Sequence, residues 1–183
     1  MSVYIHSSAD VHNLASIGAG TKIWNNAQIR ESATIGSNCI ISKDVYIDEG
    51  VSIGNFCKIQ NSVSVYAGVS IEDEVFIGPN ACFTNDLFPR ATNADWEIIT
   101  TVLHKGCSIG ANATLICGVK IGEYSMVGAG SVVTQDVPNH ALVVGNPSKV
   151  IGYVCKKGHR MNEINETDYF CELCNEHLNL KNI

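Results

Sequence analysis

A beat of six residues constrains this chain more than any other feature. Stepping in sixes from Ile5 meets an aliphatic residue at every step through Val11, Ile17 and Ile23 to Ile77, and then Phe83. Four places after each comes a second column of small or β-branched residues, from Ala9 through Cys39 and Cys57 to Ala81. The beat resumes at Leu103 and runs through Ile109, Leu115, Ile121 and Val127 to Val133, with Cys107, Ala113, Val119 and Val137 in the second column. A helix would show a period of 3.6 and a lone strand a period of two, so six calls for short strands joined by tight corners, with both columns pointing inward. Three such strands close one triangular turn. Turns then stack at about the 4.8 Å spacing of paired strands, and each is stabilised by its neighbours. The expected fold is an all-β solenoid, in which Cys39, Cys57 and Cys107 are small core residues.

Composition excludes several roles. With 183 residues, 45% hydrophobic and 16% charged, the chain can bury a sizeable core in one main domain with room for a small appendix. A formal charge of −6 and a pI near 5.4 argue against broad binding to nucleic acid or anionic membrane, so an anionic ligand must be met by a few local cations and by backbone N–H groups. "MSVYIHSSAD" has neither a basic leader nor an apolar run, and no stretch approaches the roughly 20 apolar residues of a membrane span. The expectation is a cytoplasmic protein. Its eight cysteines then read one by one, as core, metal or reactive residues, not as a disulfide framework.

"IGSNCI", "IGNFCK", "IGPNAC", "IGANAT" and "VGAGSV" resemble the hexapeptide repeats of the left-handed parallel β-helix acyltransferases, over about residues 4–152. That resemblance implies a left-handed coil, a homotrimer, and acyl-CoA held in clefts between neighbouring prisms. "NDLFPRA", "SIGANATLICGVKIG", "VGAGSVVTQDVP" and "ALVVGNPSKVIGYV" are similar to the branch that N-acetylates nucleotide-linked amino sugars. The resemblance accordingly implies a β-helix domain over residues 1–152, and residues 153–183 are expected to form a zinc-ribbon-like extension.

The beat breaks in "CFTNDLFPRATNADW", from Cys82 to Trp96, and fourteen residues are inserted before Leu103. A solenoid absorbs an insertion at a corner, and long loops of this kind usually lie on a binding face, so residues 84–102 are expected to form a loop at the active site. Trp96 would pin it or, by resemblance, help wall a cleft shared with the next subunit. Residues eighteen apart stack, which lines up Arg30, Asp48, Tyr66 and Thr84 on the outside, beside Glu31, Glu49, Ala67 and Asn85. Such a strip suits a sugar nucleotide, with Arg30 on phosphate, Tyr66 on phosphate or base, and Thr84 and Arg90 nearby; it equally suits a solvated ladder of charges.

Acyl transfer to an amine needs a neutral amine, an aligned thioester and donors for the oxyanion. Many hexapeptide acetyltransferases place a histidine base near this loop, where this chain reads "TND". By resemblance Asn85 holds the acceptor amine, while Asp86 either accepts its proton or caps the turn. His104 follows the loop and, as a lone histidine, reads as a turn residue. For acetyl-CoA the small residues Ala113, Gly128, Ala129 and Gly130 allow close backbone approach, and the resemblance implies Asn146, Pro147 and Lys149, with Lys149 on phosphate and Lys120 as a helper.

Past Tyr153 the beat stops, and Cys155, His159, Cys171 and Cys174 follow in C-x3-H-x11-C-x2-C order. Four such ligands suit a closed structural zinc site, with His177 a rival to His159. The function expected is transfer of acetyl from acetyl-CoA to an amino group, C3 by resemblance, of a dTDP- or UDP-linked amino sugar for surface polysaccharide. An O-acetyltransferase and a non-catalytic interaction solenoid are the alternatives. A γ-type carbonic anhydrase would need three converging histidines, and the spacing of His6, His12, His104 and His140 does not resemble that set.

Overall fold

The structure is a computed structural model and describes residues 2–182. Short strands, mostly of two residues, form three parallel sheets that enclose a triangular prism of about eight rungs. The first face runs from Tyr4–Ile5 through Phe76–Ile77 and Met126–Val127 to Ala141–Val144. Asp10–Val11 to Val132–Val133 make the second face, and Ser16–Ile17 to Lys120–Ile121 the third. Register follows the beat: Tyr4 pairs with Lys22 and Ile5 with Ile23, and across the insertion Ile71 pairs with Leu103. Both expected inward columns are buried, with Ile23, Ile41, Cys39, Cys57 and Cys107 all at 0% exposure. The first rung departs from this. Ile5 is 46% exposed, because no rung lies beneath it among the described residues.

The corners explain the remaining letters of each hexapeptide. The third residue after an inward one turns left-handed, at φ 56 to 58° in Asn26, Ser32, Asn38 and Asp44. Short polar residues tolerate that conformation, whereas Phe56 at 58° and Glu74 at 64° carry a steric cost. At the third corner, between the third and first faces, a carbonyl points inward and the small column supplies its donor. Thr21 Oγ1 donates to Gly36 O at 2.7 Å, Cys39 Sγ to Gly54 O at 3.1 Å and Cys57 Sγ to Glu72 O at 3.0 Å. A hydroxyl or thiol therefore sits in the core at no cost in unpaired polar atoms, and no buried side-chain N or O among the described residues lacks a partner.

Strand pairing bears on two places where boundaries are expected. Thr101 and Val102 already pair with Val69 and Ser70, so the stretch without strand runs from 84 to 100. The division at 152/153 falls inside the strand Lys149–Tyr153, which returns antiparallel along Ala141–Val144. Beyond it a three-stranded antiparallel sheet of Asn162–Glu163, Asp168–Cys171 and Glu176–Asn179 closes over its own small core of Cys155, Met161, Cys171 and Leu178.

Candidate active site

The insertion leaves the prism at the second corner, between the second and third faces, and both its feet are tied to the next coil. Thr84 Oγ1 accepts the Cys117 N–H at 2.9 Å, and Thr101 Oγ1 accepts the adjacent Gly118 N–H at 3.0 Å. Consecutive backbone donors that would otherwise be orphaned thus fix where the loop starts and stops. Ile98 and Ile99 lie back over this corner, so closely that a Cβ on Gly68 would meet Ile98 Cγ2. Trp96 Nε1 donates to the Asn85 carbonyl at 3.1 Å, folding the loop onto its first residues. Asp86 Oδ1 accepts the Phe88 N–H at 2.8 Å, which is a turn cap. The loop encloses a hollow of about 250 Å³ that Asp86, Leu87, Phe88, Trp96 and Ile99 help to line.

The outward strip is partly committed to its own structure. The Arg30 guanidinium binds both Glu31 oxygens, at 2.9 and 3.2 Å, and stays 42% exposed. Asp48 is half-buried. Burial alone would raise its carboxyl, but hydrogen bonds from the Glu49 N–H, the Tyr46 hydroxyl and the Ala67 N–H outweigh that and hold it below the usual carboxylate range. Tyr66 leans on Tyr46 with ring centroids 6.2 Å apart and packs against the core. Arg90 is exposed, and its Nη1 donates to the Pro89 carbonyl. The strip therefore presents one guanidinium, already paired, and one phenol beside the loop.

The residues expected to meet acetyl-CoA divide. Gly128, Ala129 and Gly130 form the first corner, between the first and second faces, in the same rung as Val132. A turn of Gly145, Asn146, Pro147 and Ser148 folds against it. The Val132 N–H donates to Gly145 O at 2.9 Å and the Ser148 N–H to Val132 O at 2.8 Å, leaving Asn146, Pro147 and Lys149 exposed. Ala113 lies one rung earlier, at the end of the same corner. It is wholly enclosed, its N–H donates to Gly110 O and its carbonyl accepts the Cys82 N–H. Lys120 lies on the third face, away from this corner. Within one chain, the corner carrying Gly128 to Gly130 and the corner carrying Asn85 are different edges of the prism.

Sequence reasoning missed one constellation. His104 Nδ1 lies 3.0 Å from Glu72 Oε1, and Glu72 Oε2 accepts the Lys105 N–H at 2.8 Å, so this histidine is not alone. The signal was present. Once the insertion is subtracted, Glu72 and His104 occupy the same column of the third corner, each following a paired inward residue, Ile71 or Leu103. In the tail, Cys155, His159, Cys171 and Cys174 are brought together, while His177 packs on Phe170 with ring centroids 4.5 Å apart.

Comparison with known proteins agrees with the prism. The family profile described as bacterial transferase hexapeptide (six repeats) matches residues 14–49, 50–85 and 100–135, and a hexapeptide repeat of succinyl-transferase matches 32–67. More than half of the chain is covered, and the chain belongs to the hexapeptide-repeat transferases. Over 56 residues it is 59% identical to dTDP-3-amino-3,6-dideoxy-alpha-D-galactopyranose 3-N-acetyltransferase of Aneurinibacillus thermoaerophilus, a match over 31% of this chain and 29% of that protein. Serine acetyltransferase 4 of Arabidopsis thaliana is 51% identical over 49 residues, which are 27% of this chain and 14% of that protein. These matches span less than a third of either relative's length. Among solved structures, the H141A mutant of GDP-perosamine N-acetyl transferase from Caulobacter crescentus, in complex with CoA and GDP-perosamine, superposes with a TM-score of 0.59 at 23% identity. That superposition covers 83% of this chain and 57% of that one. No helix among the described residues is long and apolar enough to cross a membrane.

Proposed function

We propose that this protein is an acetyl-CoA-dependent N-acetyltransferase acting on the amino group, at C3, of a dTDP- or UDP-linked amino sugar that feeds surface polysaccharide synthesis in the cytoplasm. The observation that carries the reading is the loop that opens on Thr84, Asn85 and Asp86 without a histidine, in a chain with a 56-residue stretch 59% identical to a dTDP-3-amino-sugar 3-N-acetyltransferase. An amine that arrives neutral is already a nucleophile, so the site has to orient it more than to deprotonate it. Trp96 engages the carbonyl of Asn85 and leaves its side-chain amide for the acceptor amine. Asp86 uses Oδ1 for the turn, and Oδ2 is the oxygen on hand for the ammonium proton released as the amide forms.

Two features support a homotrimer. The loop and the Gly128 to Gly130 corner sit on separate edges of one prism, so a second copy is needed to bring acceptor and acyl donor together. The loop also exposes Leu87, Phe88 and Ile98, with Phe88 at 74%, and a neighbouring prism would cover them.

A sugar hydroxyl is the second acceptor class, favoured by one observation. A hydroxyl must be deprotonated as it attacks, and Glu72 and His104 form the carboxylate-braced imidazole that such a step uses. Isothermal titration with CoA, followed by thiol release from acetyl-CoA with dTDP- and UDP-linked 3-amino sugars, tests the main reading. Thiol release with one amino sugar, giving a product whose acetyl group resists hydroxylamine, supports N-acetylation. A hydroxylamine-labile product selects the hydroxyl acceptor. Failure to bind CoA overturns both readings.

A further inference from the structure

The C-terminal tail holds a cluster that acetyl transfer does not use. Cys155, His159, Cys171 and Cys174 each offer one atom, and the four atoms lie within 4.8 Å of one another. Cys155 Sγ is 3.7 Å from Cys174 Sγ, and His159 Nδ1 is 3.2 Å from Cys174 Sγ and 3.9 Å from Cys171 Sγ. These separations can be tested against an ion. Four ligands arranged tetrahedrally around zinc, with sulfur at about 2.3 Å and nitrogen at about 2.0–2.1 Å, must stand about 3.8 Å apart between sulfurs and about 3.6 Å between sulfur and nitrogen. The Cys155–Cys174 pair meets that edge length, the distances from His159 to Cys174 and Cys171 bracket theirs, and the remaining pairs lie within 4.8 Å.

The surroundings fit as well. Cys155 and Cys171 are each 1% exposed, while His159 and Cys174 are half-buried, so two of the four ligands are taken out of water and two close the site at its edge. The His159 N–H donates to Cys155 Sγ at 3.3 Å, a bond that favours the thiolate an ion requires. Three thiolates and a neutral imidazole around a divalent ion leave one negative charge, and Lys156, Lys157 and Arg160 flank it in sequence. Three soft sulfur ligands with one nitrogen and no open position describe a closed structural site, not a catalytic one.

The position of the cluster says what such an ion would hold. The loop between Cys155 and His159 rests on the end of the prism. Gly158 lies so near Met126 that a Cβ there would stand 2.9 Å from Met126 Cε, and Lys156 Nζ sits 5.3 Å from the centroid of the Tyr124 ring. His140, buried and stacked on Tyr124 at 5.5 Å, donates from Nδ1 to the Val154 carbonyl at 2.9 Å, and its own carbonyl accepts the Val154 N–H at 2.8 Å. The tail also forms one wall, with Arg160, Met161 and Tyr169, of a groove of about 630 Å³ whose other wall is the strand Lys149–Tyr153. A core of only four buried residues is too small to hold this sheet in shape unaided.

The geometry points to a tetrahedral Zn²⁺ site made by Cys155, His159, Cys171 and Cys174, whose occupancy clamps the tail as a cap on the last coils of the prism. Metal analysis of the full chain should return one zinc per chain. Exchange for Co²⁺ should give the intense visible and thiolate charge-transfer bands of a tetrahedral site. Full occupancy should protect the exposed Lys156 and Lys157 from trypsin, and chelation should release the protection while residues before 150 stay intact. His159→Cys should keep the ion, whereas His159→Ala should lower its retention against a chelator by at least about tenfold. Absence of zinc, an octahedral cobalt spectrum, or a Cys155–Cys174 disulfide in protein purified under reducing conditions overturns the site. Stoichiometric zinc with unchanged trypsin cleavage after its removal overturns the clamp.

Discussion

Thr101→Val tests how the loop is anchored, because the change keeps the shape of the side chain and removes only the acceptor of the Gly118 N–H. Thr101 is 2% exposed, so the valine methyl fills the place of the hydroxyl and leaves no room for a water between itself and the Gly118 N–H; a donor left unpaired in this way costs about 1–3 kcal/mol. Thr84→Val removes the acceptor of the neighbouring Cys117 N–H, but Thr84 is only half-buried, and solvent should limit the loss to about 0.5–1.5 kcal/mol. Urea unfolding at fixed protein concentration separates the two. With a slope of about 1–3 kcal/mol per molar, Thr101→Val should lower the midpoint by roughly 1 M without changing the slope, and Thr84→Val by about half as much. The double variant should fall near the sum or somewhat short of it, since both donors belong to one corner. Equal losses at the two positions, or a larger loss at Thr84, would refute the argument that burial sets the cost. A changed slope would mean that the corner itself had come apart.

Trp96→Phe keeps a ring and loses the bond to the Asn85 carbonyl. At this exposed site it should cost about 0.5–1 kcal/mol of loop order and lower kcat/KM for the amino sugar about two- to fivefold, with CoA binding in titration unchanged. Asp48 is held below its ordinary value, so the stability it contributes is present above about pH 4 and is lost as pH falls through its folded value. Acid titration of unfolding should therefore show the gap between wild type and Asp48→Asn closing below about pH 4, and a gap that widens there would contradict the sign. Phe56 is 58% exposed at φ 58°, and Phe56→Asn should raise stability by about 0.5–1 kcal/mol, read as a higher Tm; a lower Tm would show that the ring gains more from packing than the backbone loses to strain. Burial pushes the Cys107 thiol far up and leaves Cys39 and Cys57 unreachable, so in the native protein Ellman's reagent should modify Cys82 at once and these three only on unfolding.

The prism was legible because its cause is local and repeated. An inward residue every sixth place and a small one four later state the coil without reference to any distant contact, and both columns are buried from Ile23 and Ala27 upward. Less visible was why Asn, Ser, Asp and Gly recur one place before the small column. That follows from the left-handed corner residue, which short polar side chains or glycine tolerate. The loop's place was legible and its conformation was not, because the bonds that shape it run to backbone groups: Trp96 to the Asn85 carbonyl, Thr84 and Thr101 to the Cys117 and Gly118 N–H groups. No pattern of residue types announces a carbonyl.

Glu72 and His104 show where such reading can be extended. They are 32 apart, a separation that looks arbitrary until the insertion is removed and both fall in one column of the third corner. In a solenoid, then, contacts across an insertion are as legible as those within the regular coils, provided the register is carried over from the inward residues on either side. The tail obeys no such arithmetic. The order of its cysteines and histidines left His159 and His177 as rivals, because in a short irregular sheet a ligand is chosen by which side chains the hairpins turn to the same side. Strand pairing places His177 directly opposite Phe170, against which its ring packs. His159 instead follows the tight turn after Cys155, whose Gly158 N–H donates to the Cys155 carbonyl at 2.8 Å, and so returns to the sulfur it must accompany. Spacing can nominate ligands in such a tail, but only the turn decides between them.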